Sequence, residues 1–309
     1  MNGPSYDPTT VDVCIATYKR PEALKILLHT LEKQNLDCIR LRVIVVDNDR
    51  HRSAEKTAYA FYGSKRFDFV YDVEPEQNIA LARNRCLSHV ESDYAAFIDD
   101  DEIPSERWLE SLLSCMVKYR CDIVFGPVFK LLPGQAPSWA EKCFETARRQ
   151  TGAHVEFGGA GNVLMASRIL EDGKMRFDPS FGLTGGEDTD FFYRHSLAGR
   201  SLVWCDEAMV AEPVPDARLT LRWVWLRGFR GGQVFNRVFV SRYTPMRKCL
   251  WFGTKVAQVL AGLVAVVVLR LFSYPACIAM TVRIAASAGQ LSRCFNGGDF
   301  EEYGDTQAG

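Results

Sequence analysis

Apolar residues along the first 130 positions arrive in two alternating rhythms. Short continuous runs at residues 11–16, 41–46, 67–71, 94–98 and 123–129 are rich in β-branched and aromatic side chains, as buried strands are. Between them the apolar positions fall three and four apart, as at Leu24, Leu27, Leu28 and Leu31, which predicts a helix. Further helices are expected over residues 53–62, 78–90 and 108–117, and Pro21 suits the first turn of the leucine helix. This alternation predicts an α/β domain with a mostly parallel, Rossmann-like sheet and right-handed crossovers. Polar residues that end its strands, here Asp47 and Asp99, then fall where such sheets bind ligands.

After Leu132 the rhythm loosens. Pro133-Gly134 and Pro137 mark a loop, and Gly158-Gly159-Ala160-Gly161-Asn162 a tight backbone segment. A helix running to about Leu197 is expected after Thr184-Gly185-Gly186. Residues 256–282 are strongly apolar, interrupted only by the polar side chains of Gln258, Arg270, Ser273 and Thr281, with Pro275 as a kink. No stretch of about 18 residues is both uncharged and continuous, so the pattern by itself does not establish a simple spanning helix. Arg270 at the centre of a span would cost roughly 2.5–3.5 kcal/mol. Two short apolar helices hinged near residues 270–275, lying in one leaflet or dipping into it, avoid that cost. Arg247, Lys248, Lys255, Arg283 and Arg293 would then meet anionic headgroups. The alternative is a buried helical pair closing a soluble core.

Charge sharpens this division. The total is close to neutral, at −1, but residues 217–298 hold twelve Lys or Arg and no Asp or Glu. An acidic part joined to a basic, surface-binding part is implied. The chain therefore reads as a domain at residues 1–216, with halves at about 11–130 and 131–216, followed by a basic, apolar helical region at 217–309. Composition is that of an ordinary globular protein, which excludes wholesale disorder. Ten cysteines are scattered without a CxxC pair, which points to a reducing, cytosolic setting and away from zinc. The first ten residues show neither the basic nor the apolar part of a secretory leader.

Chemistry concentrates at three places. Asp99, Asp100, Asp101 and Glu102 follow an apolar strand directly, and like charges so crowded must stay hydrated or find a cation. Mg²⁺ or Mn²⁺ binds one or two carboxylates and fills its other positions with phosphate and water, so this turn is a candidate metal–diphosphate site. An acidic helix start before Pro104 is the structural alternative. Glu187-Asp188-Thr189-Asp190 follows two glycines that allow close substrate approach. A carboxylate there could accept a proton from an attacking hydroxyl; Asp188 is the first candidate, Glu187 the second, and a plain helix cap the alternative. Asn78 opens a helix that carries Arg83 one turn in, where a guanidinium could pair with a diphosphate or simply face solvent.

Residues 16–21 (ATYKRP), 45–49 (VVDND), 78–84, 97–102 and 185–190 together resemble the inverting family 2 glycosyltransferases of the GT-A fold, in particular their bacterial exopolysaccharide type. The resemblance covers about residues 11–215. It implies that Ala16, Tyr18, Arg20, Asp47, Asp49, Asn78, Arg83, Asp99 and Asp100 surround the nucleotide sugar. It also implies that Asp101, with Asp99, ligates the metal and that Asp188 is the base. The partners implied are a UDP-sugar donor, with UDP-glucose expected, a lipid-linked saccharide acceptor and an anionic membrane surface, with no nucleic acid. The place implied is the cytoplasmic face of a bacterial inner membrane. Two departures stand out. Relatives often carry a metal-contacting His where this chain has Ala211, and the processive QxxRW signature is missing, with Leu221-Arg222-Trp223 a partial echo. A non-catalytic sugar-nucleotide binder of the same fold remains the alternative. A nucleotidyltransferase and an NAD-dependent enzyme are disfavoured because residues 17–21 contain no glycine.

Overall fold

The computed structural model describes residues 8–170, 173, 175–295 and 298–301. The opening residues 1–7, on which the reading about a leader partly rests, lie outside the described residues, as does the tail from 302. The chain forms two compact units. One comprises the chain through Phe129, Ala147–Leu183 and Glu187–Glu212; the other Lys130–Thr146, Thr184–Gly186 and the chain from Pro213.

In chain order the elements are β1 (Thr9–Thr17), α1 (Pro21–Leu31), β2 (Ile39–Asp47), α2 (Glu55–Tyr59), β3 (Asp68–Val73), α3 (Ile79–Ser88) and β4 (Tyr94–Ile98). Then follow β5 (Ile103–Pro104), α4 (Trp108–Tyr119), β6 (Ile123–Phe125), β7 (Val128–Leu131), α5 (Ala140–Cys143), β8 (Asn162–Ala166), α6 (Glu187–Leu197), β9 (Leu202–Trp204) and β10 (Val210–Pro213). Three helices close the described chain: α7 (Leu221–Val238), α8 (Pro245–Phe272) and α9 (Tyr274–Ser292).

The main sheet runs β3-β2-β1-β4-β8-β6-β9, and β5-β10-β7 form a small second sheet. Strand periodicity divides the core. Val11, Val13 and Ile15 of β1 face one way, into a cluster with the leucines of α1 and Trp108, Leu109 and Leu112 of α4. Cys14 joins Ile44 and Val46 on the other face, against Ala80, Ala82 and Cys86 of α3 and Phe191 and Phe192 of α6. Both faces are covered, which explains the unbroken apolar runs of β1, β2 and β4.

The expectation of a parallel sheet holds for β1 to β4, but β8 is antiparallel to both β4 and β6. The single strand expected at 123–129 is two. Gly126 and Pro127 break it: Gly126 donates its N–H to Asn162 O, and Pro127 has no N–H to give. A Cβ at Gly126 would lie 2.4 Å from Ala208 O, so the close approach there requires glycine.

In the second unit α7 and α9 touch backbone to backbone. A Cβ at Gly232 would lie 1.9 Å from Ala286 O, and one at Gly289 1.9 Å from Phe229 O. Helix α8 returns as α9 in an antiparallel hairpin, with Gly262 against Ile284 and Cys277 Sγ donating to Val266 O. The hinge expected at 270–275 is at Ser273, whose extended backbone ends α8 and whose hydroxyl caps α9. The helices are not short, however: α8 has 28 residues and α9 has 19. Nor is α8 a core helix, since Gly262 is the one residue of its 28 that is buried.

Candidate active site

The acidic turn leaves β4 at the centre of the main sheet, between β1 and β8. Register puts Ile98 opposite Asn162, so residues 99–102 emerge beside the end of β1 and the start of β8. Within the turn the four carboxylates part company. Asp99 and Asp101 reach solvent, with side chains 44% and 23% exposed. Asp100 turns inward, accepting from Thr17 Oγ1 at 2.7 Å and Arg20 Nη1 at 3.2 Å. Burial pushes its carboxyl up to about 6; Arg20 and Thr17 oppose the rise, and Asp101 and Asp99 add to it. Glu102 is buried and ties the turn, its Oε2 accepting from Asp99 N at 2.9 Å.

Two arginines face the outward pair. Arg20 donates to Asp101 Oδ2 at 2.8 Å, and Arg83 donates to Asp99 Oδ1 at 2.8 Å. The other nitrogen of Arg83 donates to Glu187 Oε1, so one buried guanidinium joins the β4 turn to the start of α6. Glu187 Oε2 is buried without a hydrogen-bond partner. Burial pushes this carboxyl up to about 7, with Arg83 opposing and Asp188 adding to the rise. Next to it Asp188 is more open. Its Oδ1 accepts from Thr189 N at 2.6 Å and its Oδ2 from Ala160 N at 3.3 Å. A Cβ on Gly159 would sit 3.4 Å from Asp188 Oδ2, so the glycine run passes close to this carboxylate.

The remaining predicted residues build the loops around that centre. Asp47 is fully buried; its oxygens accept from Ala54 N at 2.7 Å, Tyr71 Oη at 3.0 Å and Asp49 N at 3.1 Å. Burial raises its carboxyl even though those donors favour the ionised form. Asp49 Oδ1 accepts from His51 N at 3.1 Å. Asn78 caps α3, accepting from Ala80 and Leu81, and donates its own N–H to Asn48 Oδ1. Ala16 and Tyr18 are half-buried, and Lys19 Nζ lies 4.9 Å from the Tyr18 ring centre.

Sequence reasoning missed Thr17, Ala160, Asn162 and Trp108. Asn162 accepts from Trp108 Nε1 at 2.8 Å and donates to Pro127 O and Ala208 O, knitting four segments behind the turn. Its place after three glycines was a visible signal for a close-packed segment.

A hard cation can be tested against these donors. Among the described residues no group of three His, Cys, Asp or Glu is placed to hold one. The open carboxylates Asp99 and Asp101 are the right oxygen chemistry for Mg²⁺ or Mn²⁺ shared with a diphosphate, and too few for an all-protein cage. Position 211 pairs with Ile103, just past the turn, and offers a methyl group.

The fold and the acidic strand end define a glycosyltransferase of GT-A architecture. Glycosyl transferase family 2 matches residues 12–172, and the chain belongs to that family. It is similar to the succinoglycan biosynthesis protein ExoM of Rhizobium meliloti, 33% identical over 95% of this chain and 96% of that one. The pre-mycofactocin glycosyltransferase of Mycobacterium tuberculosis is 27% identical over 75% of this chain, which spans 47% of it. Among solved structures, S. aureus TarS 1-349 in complex with UDP-GlcNAc aligns with a TM-score of 0.54 and 14% identity, over 93% of this chain and 92% of that one. That likeness supports the fold.

Proposed function

We propose that this enzyme transfers a hexose, with glucose from UDP-glucose the first expectation, onto a lipid-linked oligosaccharide in bacterial surface-polysaccharide assembly. The observation that carries the reading is Arg83, which joins the open carboxylate Asp99 to the helix start bearing Asp188. Kinship with a succinoglycan biosynthesis protein supports the pathway type, and TarS in complex with UDP-GlcNAc and with UDP supports a UDP-sugar donor.

In this reading Ala16, Tyr18 and Asp47 lie around the base and ribose, with Asn48 and Asp49 nearby. Asp100 and Glu102 fix the turn so that Asp99 and Asp101 face the diphosphate. Arg20 and Arg83, each now on two carboxylates, offer guanidinium forks to phosphate oxygens. Mg²⁺ or Mn²⁺ held by Asp99 and Asp101 would neutralise charge developing on the leaving diphosphate. Asp188 takes the proton from the acceptor hydroxyl, and the new bond forms as the bond to UDP breaks on the opposite face, inverting the anomeric carbon. Glu187, buried and held by Arg83, positions the helix start instead of reaching an acceptor. The basic, apolar C-terminal helices keep the enzyme on the cytoplasmic membrane face, where a lipid-linked acceptor resides.

The test is UDP release across sugar nucleotides, with lipid-linked acceptors and with Mg²⁺, Mn²⁺ or chelator. Asp188→Asn is expected to abolish transfer while UDP still binds. Undiminished transfer by that variant would remove Asp188 from the mechanism. Truncation near Arg247 is expected to move the protein to the soluble fraction, and full retention on membranes would refute the role of these helices.

A further inference from the structure

Exposed apolar side chains cover about half of the surface of helix α8, with Leu263 and Phe272 about 90° to either side of its middle line. Met246, Leu250, Leu260, Val264, Val267 and Leu271 are all exposed. At about 100° per residue they fall within about 60° of that line. Gly253 and Ala257, exposed on the same line, fill the interval between Leu250 and Leu260. The cations avoid it: Arg247, Lys248, Lys255 and Arg270 project at least about 100° away. The opposite face is taken by α9, through Gly262 and the carbonyl of Val266. At each end of α8 an arginine stacks on a tyrosine, Arg247 at 3.9 Å from the Tyr243 ring centre and Arg270 at 5.0 Å from that of Tyr274. Amphipathic aromatic–cation pairs of this kind suit the headgroup level.

A spanning arrangement fits these facts poorly. Fourteen uncharged residues separate Lys255 from Arg270, a rise of ~21 Å against a hydrocarbon core of ~30 Å. The hairpin also sets exposed Arg283 of α9 level with Gly262, near the middle of that uncharged stretch. A helix spanning along its axis would carry Arg283 to the bilayer centre, a costly placement.

Resting on the membrane reading above, we propose that α8 lies in the plane of an anionic bilayer. Its apolar line sits at the headgroup–acyl boundary, and Arg247 and Arg270 reach lipid phosphates from its flanks. Charge selects lipid over a second copy of the chain as the occupant. Residues 217–298 hold twelve basic and no acidic side chains, so two such faces would repel each other while phosphatidylglycerol attracts them. Along its ~42 Å length the helix then anchors the enzyme from one side only.

The test uses the full chain with exposed Cys38, Cys249 and Cys294 replaced by Ser, spin-labelled singly through Leu250→Cys, Val264→Cys or Leu271→Cys. Flotation is measured with phosphatidylcholine–phosphatidylglycerol vesicles, and label depth by lipid-soluble against aqueous relaxation agents. The expected result is flotation with all three labels at one shallow depth, about 5–10 Å below the headgroups. Depths that grade from position 250 to position 271, or a label open to the vesicle lumen, would overturn the orientation while leaving membrane binding intact. Absence of flotation would overturn the membrane reading itself and this inference with it.

Discussion

Arg83 meets Asp99 at 2.8 Å with one nitrogen, and with another it meets Glu187, which lies 104 residues further along the chain. The guanidinium is buried, so its charge is shared between one carboxylate open to a ligand and one that is not. Arg83→Ala would leave Glu187 buried beside Asp188 without its cation. Removing one partner of a buried pair costs about 3–5 kcal/mol, and urea denaturation above about pH 7, where Glu187 is ionised, should show a loss approaching that size. Arg83→Lys is expected to recover only part of it, because an ammonium lacks the fork that reaches two carboxylates. A loss under about 1 kcal/mol for the alanine variant would show that the pair does not bind the two segments together.

The same carboxylate gives stability a pH dependence of known sign. Glu187 is pushed by burial from 4.5 in the unfolded chain up to about 7 in the folded one. The folded state therefore holds this proton more tightly. Its contribution is complete below the unfolded value and is lost as pH rises through about 7. Denaturation between about pH 5 and pH 8 should show this decline, to which Asp100, pushed up to about 6, adds its own, and Glu187→Gln should make it shallower. An unchanged slope in the glutamine variant would mean that Glu187 is ionised throughout.

Glu102 fixes where Asp99 points, and Gly161 fixes Glu102. Asp99 N donates to Glu102 Oε2 at 2.9 Å, and a Cβ at Gly161 would fall 2.3 Å from Glu102 Oε1. Gly161→Ala must displace a buried, hydrogen-bonded carboxylate, an overpacking cost of about 1–3 kcal/mol. Calorimetric titration should show UDP affinity falling about tenfold or more, equivalent to ~1.4 kcal/mol. Gly134→Ala, whose Cβ would meet nothing within 4 Å, should bind UDP as the parent does.

Much of this arrangement was legible in the chain because it is local. The run ending at Ile98 delivers Asp99 to the carboxyl end of the central strand, and Asn78 caps α3 as its residue type predicts. What stayed hidden depends on long-range pairing. Strand β8 begins at Asn162, straight after glycines that signal a loop, and it runs antiparallel in a mostly parallel sheet. Gly126-Pro127 inside an apolar run looks like a continuous strand until Asn162 and Ala208 are placed against it. The inward turn of Asp100 and the burial of Glu187 were equally unreadable. A run of carboxylates shows charge density and says nothing of which members reach solvent. Likewise the apolar tail announced its hinge through Ser273 and Pro275, but not the length of α8, because Arg270 reads as an interruption where the helix simply presents it at one flank.

Gly231 and Gly232 are neighbours in α7 with opposite surroundings, and they isolate how the C-terminal helices hold together. Gly231 is exposed, with nothing within 4 Å of an added Cβ; at Gly232 the added atom would lie 1.9 Å from Ala286 O of α9. Alanine is the better helix former by roughly 0.8–1.0 kcal/mol, so Gly231→Ala should stabilise by about that amount. Gly232→Ala gains the same propensity yet must push two helix backbones apart. Helices that meet through small residues depend on that closeness for their packing, so the net effect should be a loss of about 1–3 kcal/mol. Thermal unfolding of the two variants in the same detergent supplies the comparison, with the melting point up for one and down for its neighbour. If both rose together, α7 and α9 would not be in backbone contact, and the glycines of this unit would need another explanation.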